Sequence, residues 1–257
     1  MEIGTMEIGT METRRGLNRD VIKYVAMVTM FLNHIATIFM EPGRPMTELF
    51  LNIGYFTAIV MCYFLVEGFT YTHSRKKYGT RLFLFALVSE VPFCLAFTTK
   101  GILSFYGLNM IATLWLCFLI LLARERIVDP FRRSLVIAAL ILASAYADWA
   151  LLAPIFTLLF DWAKGNTART KQAFVAATLL FGSMNLLGGL GRFPVGTNLA
   201  YALASMAGPA LAGIVIVYFY NGKRMEKGRS FSKWFFYIFY PAHLLILGLL
   251  RIWVTGV

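Results

Sequence analysis

The chain is predicted to fold as an all-α bundle of transmembrane helices, with about nine spans and its N-terminus in the cytoplasm. Three observations carry this. Apolar residues make up 59% of the 257 positions and charged residues 14%, whereas soluble domains carry about 25% charged residues. The apolar residues are gathered into runs separated by short polar segments. The positive charge falls in alternate segments: four Lys or Arg each in 14–23, 75–81 and 124–133, three in 164–171 and five in 223–233. Only Arg44, Lys100, Arg192 and Arg251 of the 24 cations fall in the other segments. With the N-terminus inside, this alternation is the positive-inside pattern. A net charge of +11 in a soluble chain would suggest nucleic acid; cations confined to short loops between apolar runs are topology signals instead.

Taken in order, positions 1–19 repeat MEIGT and read as a disordered polar leader, followed by one transmembrane domain over 20–257. The apolar stretch after Lys23 is too long for the core of a signal peptide and lacks a small-residue cleavage site. Apolar stretches lie near 21–40, 49–70, 82–98, 102–123, 134–147, 149–161, 172–190, 198–220 and 234–254. A helix rising 1.5 Å per residue needs about 20 residues to cross the hydrocarbon. The fifth and sixth stretches, flanking Asp148, fall short, leaving two short tilted helices, a re-entrant pair or a misplaced boundary. Cys62, Cys94 and Cys117 lie inside apolar runs without CxxC spacing, as buried thiols do, so no disulfide or metal site is expected.

Ionisable groups inside spans are costly unless paired or facing water, so they mark candidate sites. They are His34, Glu67, Glu90, Asp148 and His243, joined by Asn33, Asn109 and Asn185. Lys23 and His34 are eleven residues apart, about three turns, and therefore share one face of the first helix roughly 16 Å apart along its axis. Histidine is the natural proton carrier near neutral pH. A cation at the mouth and a base at depth suggest a channel that recognises charge at one end and performs base chemistry at the other. His243 follows Pro241, which kinks the last helix, and lies three residues from Tyr240 on the same face. Glu67 and Glu90 are expected to have structural partners, with Arg75 or Arg81 within reach of Glu67. Asp148 reads either as an interfacial residue or as one that positions an acceptor or orients His34. His73, in a basic loop, is expected to be solvated. No Walker loop, HExxH or GxSxG is present, and GGLGRFPVG at 188–196 reads as a flexible outer turn.

The segments DVIKYVAMVTMFLNHIATIF (20–39), YFTAIVMCYFLVEGFTYTHSRKKYGTRLFLFALVSEVPF (55–93), GLNMIATL (107–114) and YPAHLLIL (240–247) resemble the TraX family, membrane proteins linked to acetylation of conjugative pilin. More distantly, Lys23, ten intervening residues and His34 resemble the first span of the family 3 membrane-bound acyltransferases. The resemblance implies an integral membrane acetyltransferase of the cell membrane, with acetyl-CoA as donor and a pilin or other cell-envelope amine or hydroxyl as acceptor. It implies His34 as catalytic base; His243 and Asp148 join it as catalytic candidates because they are ionisable groups within the apolar stretches. Lys23 is then part of donor binding, with Arg19 and Arg81 as companions. Asn33, Tyr55, Asn109 and Tyr240 are candidates for substrate contact or oxyanion stabilisation. The alternatives are a proton-coupled transporter, relaying protons through Glu67, Glu90 and the two histidines, or a scaffold with no chemistry. Membrane lipids are expected partners and nucleic acid is not.

Overall fold

In a computed structural model the described residues are 16–99 and 101–256. The repeated leader and the cations Arg14, Arg15 and Lys100 therefore lie outside them, apart from positions 16–19 of the predicted leader. Ten α-helices and one π turn form the bundle. They are α1 (Arg19–Phe39), α2 (Pro45–Tyr71), α3 (Arg75–Phe97), α4 (Met110–Arg126), α5 (Pro130–Ala143), α6 (Leu152–Ala163), α7 (Thr167–Gly189), α8 (Val195–Ser205), α9 (Ala207–Ile214), the π turn Val215–Phe219, and α10 (Arg229–Thr255). α8, α9 and the π turn follow one another almost without a break, and Val195–Phe219 counts as one 25-residue apolar rod. Among the described residues nine rods result, and six of them are long and apolar enough to cross a membrane.

Local chemistry explains the helix starts. Asn18, Ser74, Asn109, Asp129 and Asn166 each accept a hydrogen bond from a backbone N–H in the first turn of the helix that follows, which satisfies a donor the helix leaves open. Pro45 and Pro130 occupy first-turn positions, where a missing N–H costs nothing.

Successive rods run antiparallel, and contacts between their ends show it. At one end Arg19 pairs with Glu67, Arg75 with Glu125 and Arg124 with Asp161, at 3.4, 3.0 and 3.0 Å. There Leu17 also exchanges main-chain bonds with Phe219 and Asn221, and Ser232 donates to Asp20 at 2.7 Å. At the other end Arg251 donates to the carbonyls of Leu95 and Ile102 at 3.1 and 2.9 Å. The basic clusters thus collect at one end of the bundle.

The central rod is α2, which packs against α1, α4, α6, α8 and α9. A helix enclosed on several sides has no need of a polar face, and thirteen of its 27 residues are buried. Gly208 of α9 lies so close to α2 that a Cβ there would collide with the Asn52 carbonyl oxygen and the Phe56 nitrogen. Gly208→Leu is expected to destabilise the bundle by about 1–3 kcal/mol or more through overpacking, read as a lower unfolding temperature in detergent.

The structure moves several predicted boundaries. The fourth helix begins at Met110 rather than near 102, because Gly101 and Gly107 take positive φ and Asn109 caps the helix. The fifth and sixth stretches are separate short helices. Here α5 packs on α4 and has no buried residue, whereas α6 packs among α2, α4 and α7. The turn between them places Trp149 and Leu151 at φ 56° and 60°, a region unfavourable for such side chains. Ring stacking of Trp149 on Phe181 and the bond from Leu151 N–H to Ser144 Oγ hold it there.

Candidate active site

The face of α1 that carries Lys23, Met27, Met30 and His34 steps by four, three and four residues, so it forms one stripe along the helix. The first three line a cavity of about 530 Å³ that opens at the basic end. Its mouth holds Arg19, Lys23, Lys77, Arg81, Arg224 and Lys233. Asp20 is the one carboxylate of the lining among the described residues, and it is engaged by the Met225 N–H and the Ser232 hydroxyl. The cations are held by aromatic rings: Lys23 lies over Phe236 at 5.0 Å and Arg81 over Tyr237 and Tyr78 at 5.2 and 5.5 Å. Arg81 Nε is buried with no hydrogen-bond partner. With Arg19 paired to Glu67, five further cations against one occupied carboxylate make the mouth a receptor for a polyanion. Lys77, Arg224 and Lys233 are absent from the sequence-based candidates. The i, i+4 spacing of Lys77 and Arg81 places them on one helix face and was a readable signal; nothing local brings Arg224 and Lys233 to the same mouth.

Deeper, the lining turns apolar and rich in thioethers, with Met27, Met30, Met61 and Met110, side chains that adapt to an extended guest. The deep end is bounded by Met30 and Tyr240. Met30 is one turn before His34 on α1, and Tyr240 is three residues before His243 on α10.

The two histidines meet one turn further along these helices, and neither lines the cavity. His34 Nδ1 lies 2.9 Å from His243 Nε2, with the rings nearly parallel at 9° and their centroids 5.1 Å apart. Both are buried. His243 Nδ1 lies 2.8 Å from the Phe239 carbonyl oxygen. A carbonyl can only accept, so His243 Nδ1 carries the hydrogen. In the neutral ring Nε2 is then an acceptor, and His34 must donate to it from Nδ1. His34 Nε2 is left as a lone pair, and among the described residues it makes no hydrogen bond. A directed chain of two imidazoles therefore ends in one available base. Phe97 packs edge-on against His34 at 5.2 Å and fixes its ring.

The remaining candidates separate. Tyr240 lines the cavity, and its oxygen accepts the Met110 N–H at 3.1 Å, which leaves its O–H proton free of that bond. Asn109 is fully used: Oδ1 caps α4, while Nδ2 donates to the Ala86 carbonyl and to Glu90 at 2.8 and 2.6 Å. It has no donor left for an oxyanion. Asn33 donates to the Leu51 carbonyl at 2.9 Å, across to α2. Tyr55 lines a different cavity, against Trp149 and Phe181. Asp148 is half-buried, and its main chain ties the turn to Leu108 and Thr113. Loss of water around its carboxyl raises its pKa to about 6, against a lowering hydrogen bond from the Trp149 backbone. Among the described residues no bond joins its carboxylate to His34. Glu67 takes Arg19 and the Tyr220 hydroxyl as partners rather than Arg75 or Arg81. Glu90 takes Asn109, so both carboxylates sit in structural bonds outside the histidine chain. His73 is exposed, at the rim of the cavity mouth.

Comparison with known proteins covers most of the chain. The family described as TraX protein matches residues 18–251. The chain is 33% identical over 237 residues to the probable fimbrial assembly protein FimC, serogroup H1, of Dichelobacter nodosus, covering 88% of this chain and 92% of that protein. No solved structure matches.

Proposed function

Because the chain belongs to the TraX family, we propose that it is an integral membrane acetyltransferase that moves an acetyl group from acetyl-CoA to an amine or hydroxyl of a pilin or other cell-envelope acceptor. The observation that carries this reading is a cavity running from a cation-lined mouth to Met30 and Tyr240, about one helical turn short of the hydrogen-bonded His34–His243 pair. The relative's name, a fimbrial assembly protein, supports a pilin-related acceptor.

The orientation follows from the charge. The basic end faces the cytoplasm under the positive-inside rule, the six long apolar rods span the membrane, and the donor enters where acetyl-CoA is made. Lys23, Arg19 and Arg81, with Lys77, Arg224 and Lys233, hold its phosphates. The methionine-lined depth takes the pantetheine arm and delivers the thioester towards His34. As the acceptor attacks the thioester carbonyl, its N–H or O–H proton passes to His34 Nε2. The new C–N or C–O bond forms, the C–S bond breaks, and the departing thiolate recovers the proton from His34. The Tyr240 hydroxyl is the donor placed to stabilise the oxyanion. His34, while protonated, stays hydrogen-bonded to His243 through Nδ1.

The mouth provides the direct test. Arg81→Gln and Lys23→Gln are each expected to raise KM for acetyl-CoA about tenfold, the scale of one charged hydrogen bond. The change in kcat should be smaller, and added salt should weaken donor binding to the native protein. The measurement is release of CoA and transfer of labelled acetyl by the purified protein in detergent. Absence of both acetyl-CoA binding and turnover in the native protein would overturn the reading.

A further inference from the structure

A second cavity, of about 660 Å³, opens at the end of the bundle opposite the cations, between α2, α7 and α8. It shares no lining residue with the histidine-directed cavity, and its chemistry is opposite. Asn52, Asn185 and Asn198 line it, and each directs its amide NH₂ to a main-chain carbonyl, those of Glu48, Phe181 and Leu186, at 2.7, 2.9 and 2.9 Å. A carbonyl cannot donate, so in all three the nitrogen faces that carbonyl, and one N–H is bound while the second N–H and the amide oxygen remain for a guest. The carboxylate of Glu48 accepts the Gly43 N–H at 3.1 Å and has no ion-pair partner among the described residues. Asn198 is buried and pressed against Gly189, where any Cβ would collide with its Oδ1. Aromatic rings complete the wall, with Tyr55 against Phe181 at 4.8 Å and Phe193 against Tyr201 at 5.3 Å.

A cavity with amide groups that offer both donors and acceptors, one carboxylate without an ion-pair partner, a rim cation and aromatic faces suits a ligand that carries positive and negative charge side by side. A primary ammonium has three N–H donors and no acceptor. The exposed Arg192 at the rim offers a cation to an anionic group beside that ammonium. We propose that this cavity is a binding site for a primary ammonium carried next to a phosphate, as in ethanolamine phosphate, with Glu48 and the amide oxygens of Asn52 and Asn185 holding the ammonium and Arg192 the phosphate. The chemistry is shared by a free ethanolamine phosphate and by the headgroup of an ethanolamine phospholipid. The site stands apart from the acetyl-transfer reading and does not depend on it.

Thermal unfolding of the full chain tests the proposal, followed by tryptophan fluorescence, since Trp149 stacks on the lining residue Phe181. One arm titrates O-phosphoethanolamine, with phosphocholine as control, into protein in detergent. The other compares nanodiscs of phosphatidylethanolamine with nanodiscs of phosphatidylcholine. Stabilisation by the primary ammonium and not by its trimethyl analogue supports the site, and the responding arm identifies the source. Glu48→Gln keeps the oxygen that accepts from Gly43, and Asn185→Leu keeps similar bulk; each is expected to weaken binding about tenfold. Equal responses to the primary and trimethyl ligands in both arms, no response in either, or affinity unchanged in both variants would overturn it.

Discussion

His34→Ala is expected to lower acetyl transfer by about 10²–10⁴, the range a positioned general base contributes, while KM for acetyl-CoA stays near its native value. The cations proposed to hold the donor lie at the mouth and His34 beyond the deep end, so the two parameters should separate. The substitution also leaves His243 Nε2 without its donor, which costs about 1–3 kcal/mol where the group is buried. A lower unfolding temperature is therefore part of the expected result. His34→Gln supplies the control, because it restores a polar group of similar reach without a base in the working pH range. If both variants retained native turnover, His34 would have no part in the chemistry. If both were fully dispensable in the cell as well, a scaffold would be the better description.

His243 is expected to behave as a positioning residue. Its Nδ1–H is taken by the Phe239 carbonyl, so its Nε2 can only receive the His34 hydrogen. That acceptance keeps His34 in the tautomer whose Nε2 is unprotonated, and it stabilises the His34 imidazolium during transfer. His243→Phe should lower kcat by about 10²–10⁴, as loss of a tautomer-fixing partner does in other His-based sites, with little change in KM for acetyl-CoA. His243→Gln presents a carbonyl oxygen near the lost Nε2 and should recover much of that activity. Rescue by Gln and not Phe, together with an altered acid limb in the pH profile of kcat, is a signature that loss of packing alone would not give. Inactivity of both variants equal to His34→Ala would mean that His243 itself accepts the proton.

Much of the architecture was legible in the chain because a bilayer imposes simple rules. Each span must satisfy its backbone internally and present an apolar surface, so hydropathy located the rods. The basic loops alternated because translocation sorts charge, and the structure gathers the cation clusters at one end through Arg19–Glu67, Arg75–Glu125 and Arg124–Asp161. The start of α4 was misread because 102–108 is apolar without being helical. Hydropathy does not register the positive φ of Gly101 and Gly107, or the capping role of Asn109. The shortness of α5 and α6 was visible, but their separation was not, since packing on different neighbours leaves no local mark.

The site divides along the same line. Spacing within one helix is a local property, and the stripe of Lys23, Met27, Met30 and His34 follows from the helical repeat alone. The family resemblance, too, rests on residues that can be read in order. The pairing of His34 with His243, 209 positions apart, was decided only by the docking of α10 beside α1. So were the convergence of Lys77, Arg224 and Lys233 on the mouth, the transfer of Tyr55 to a second cavity, and the use of Asn109 as a cap. Hydropathy and charge act on each segment separately and can be summed along the chain. Which nitrogen of His34 is free depends on a hydrogen bond between distant helices, and so on a geometry that exists only when all of them are packed.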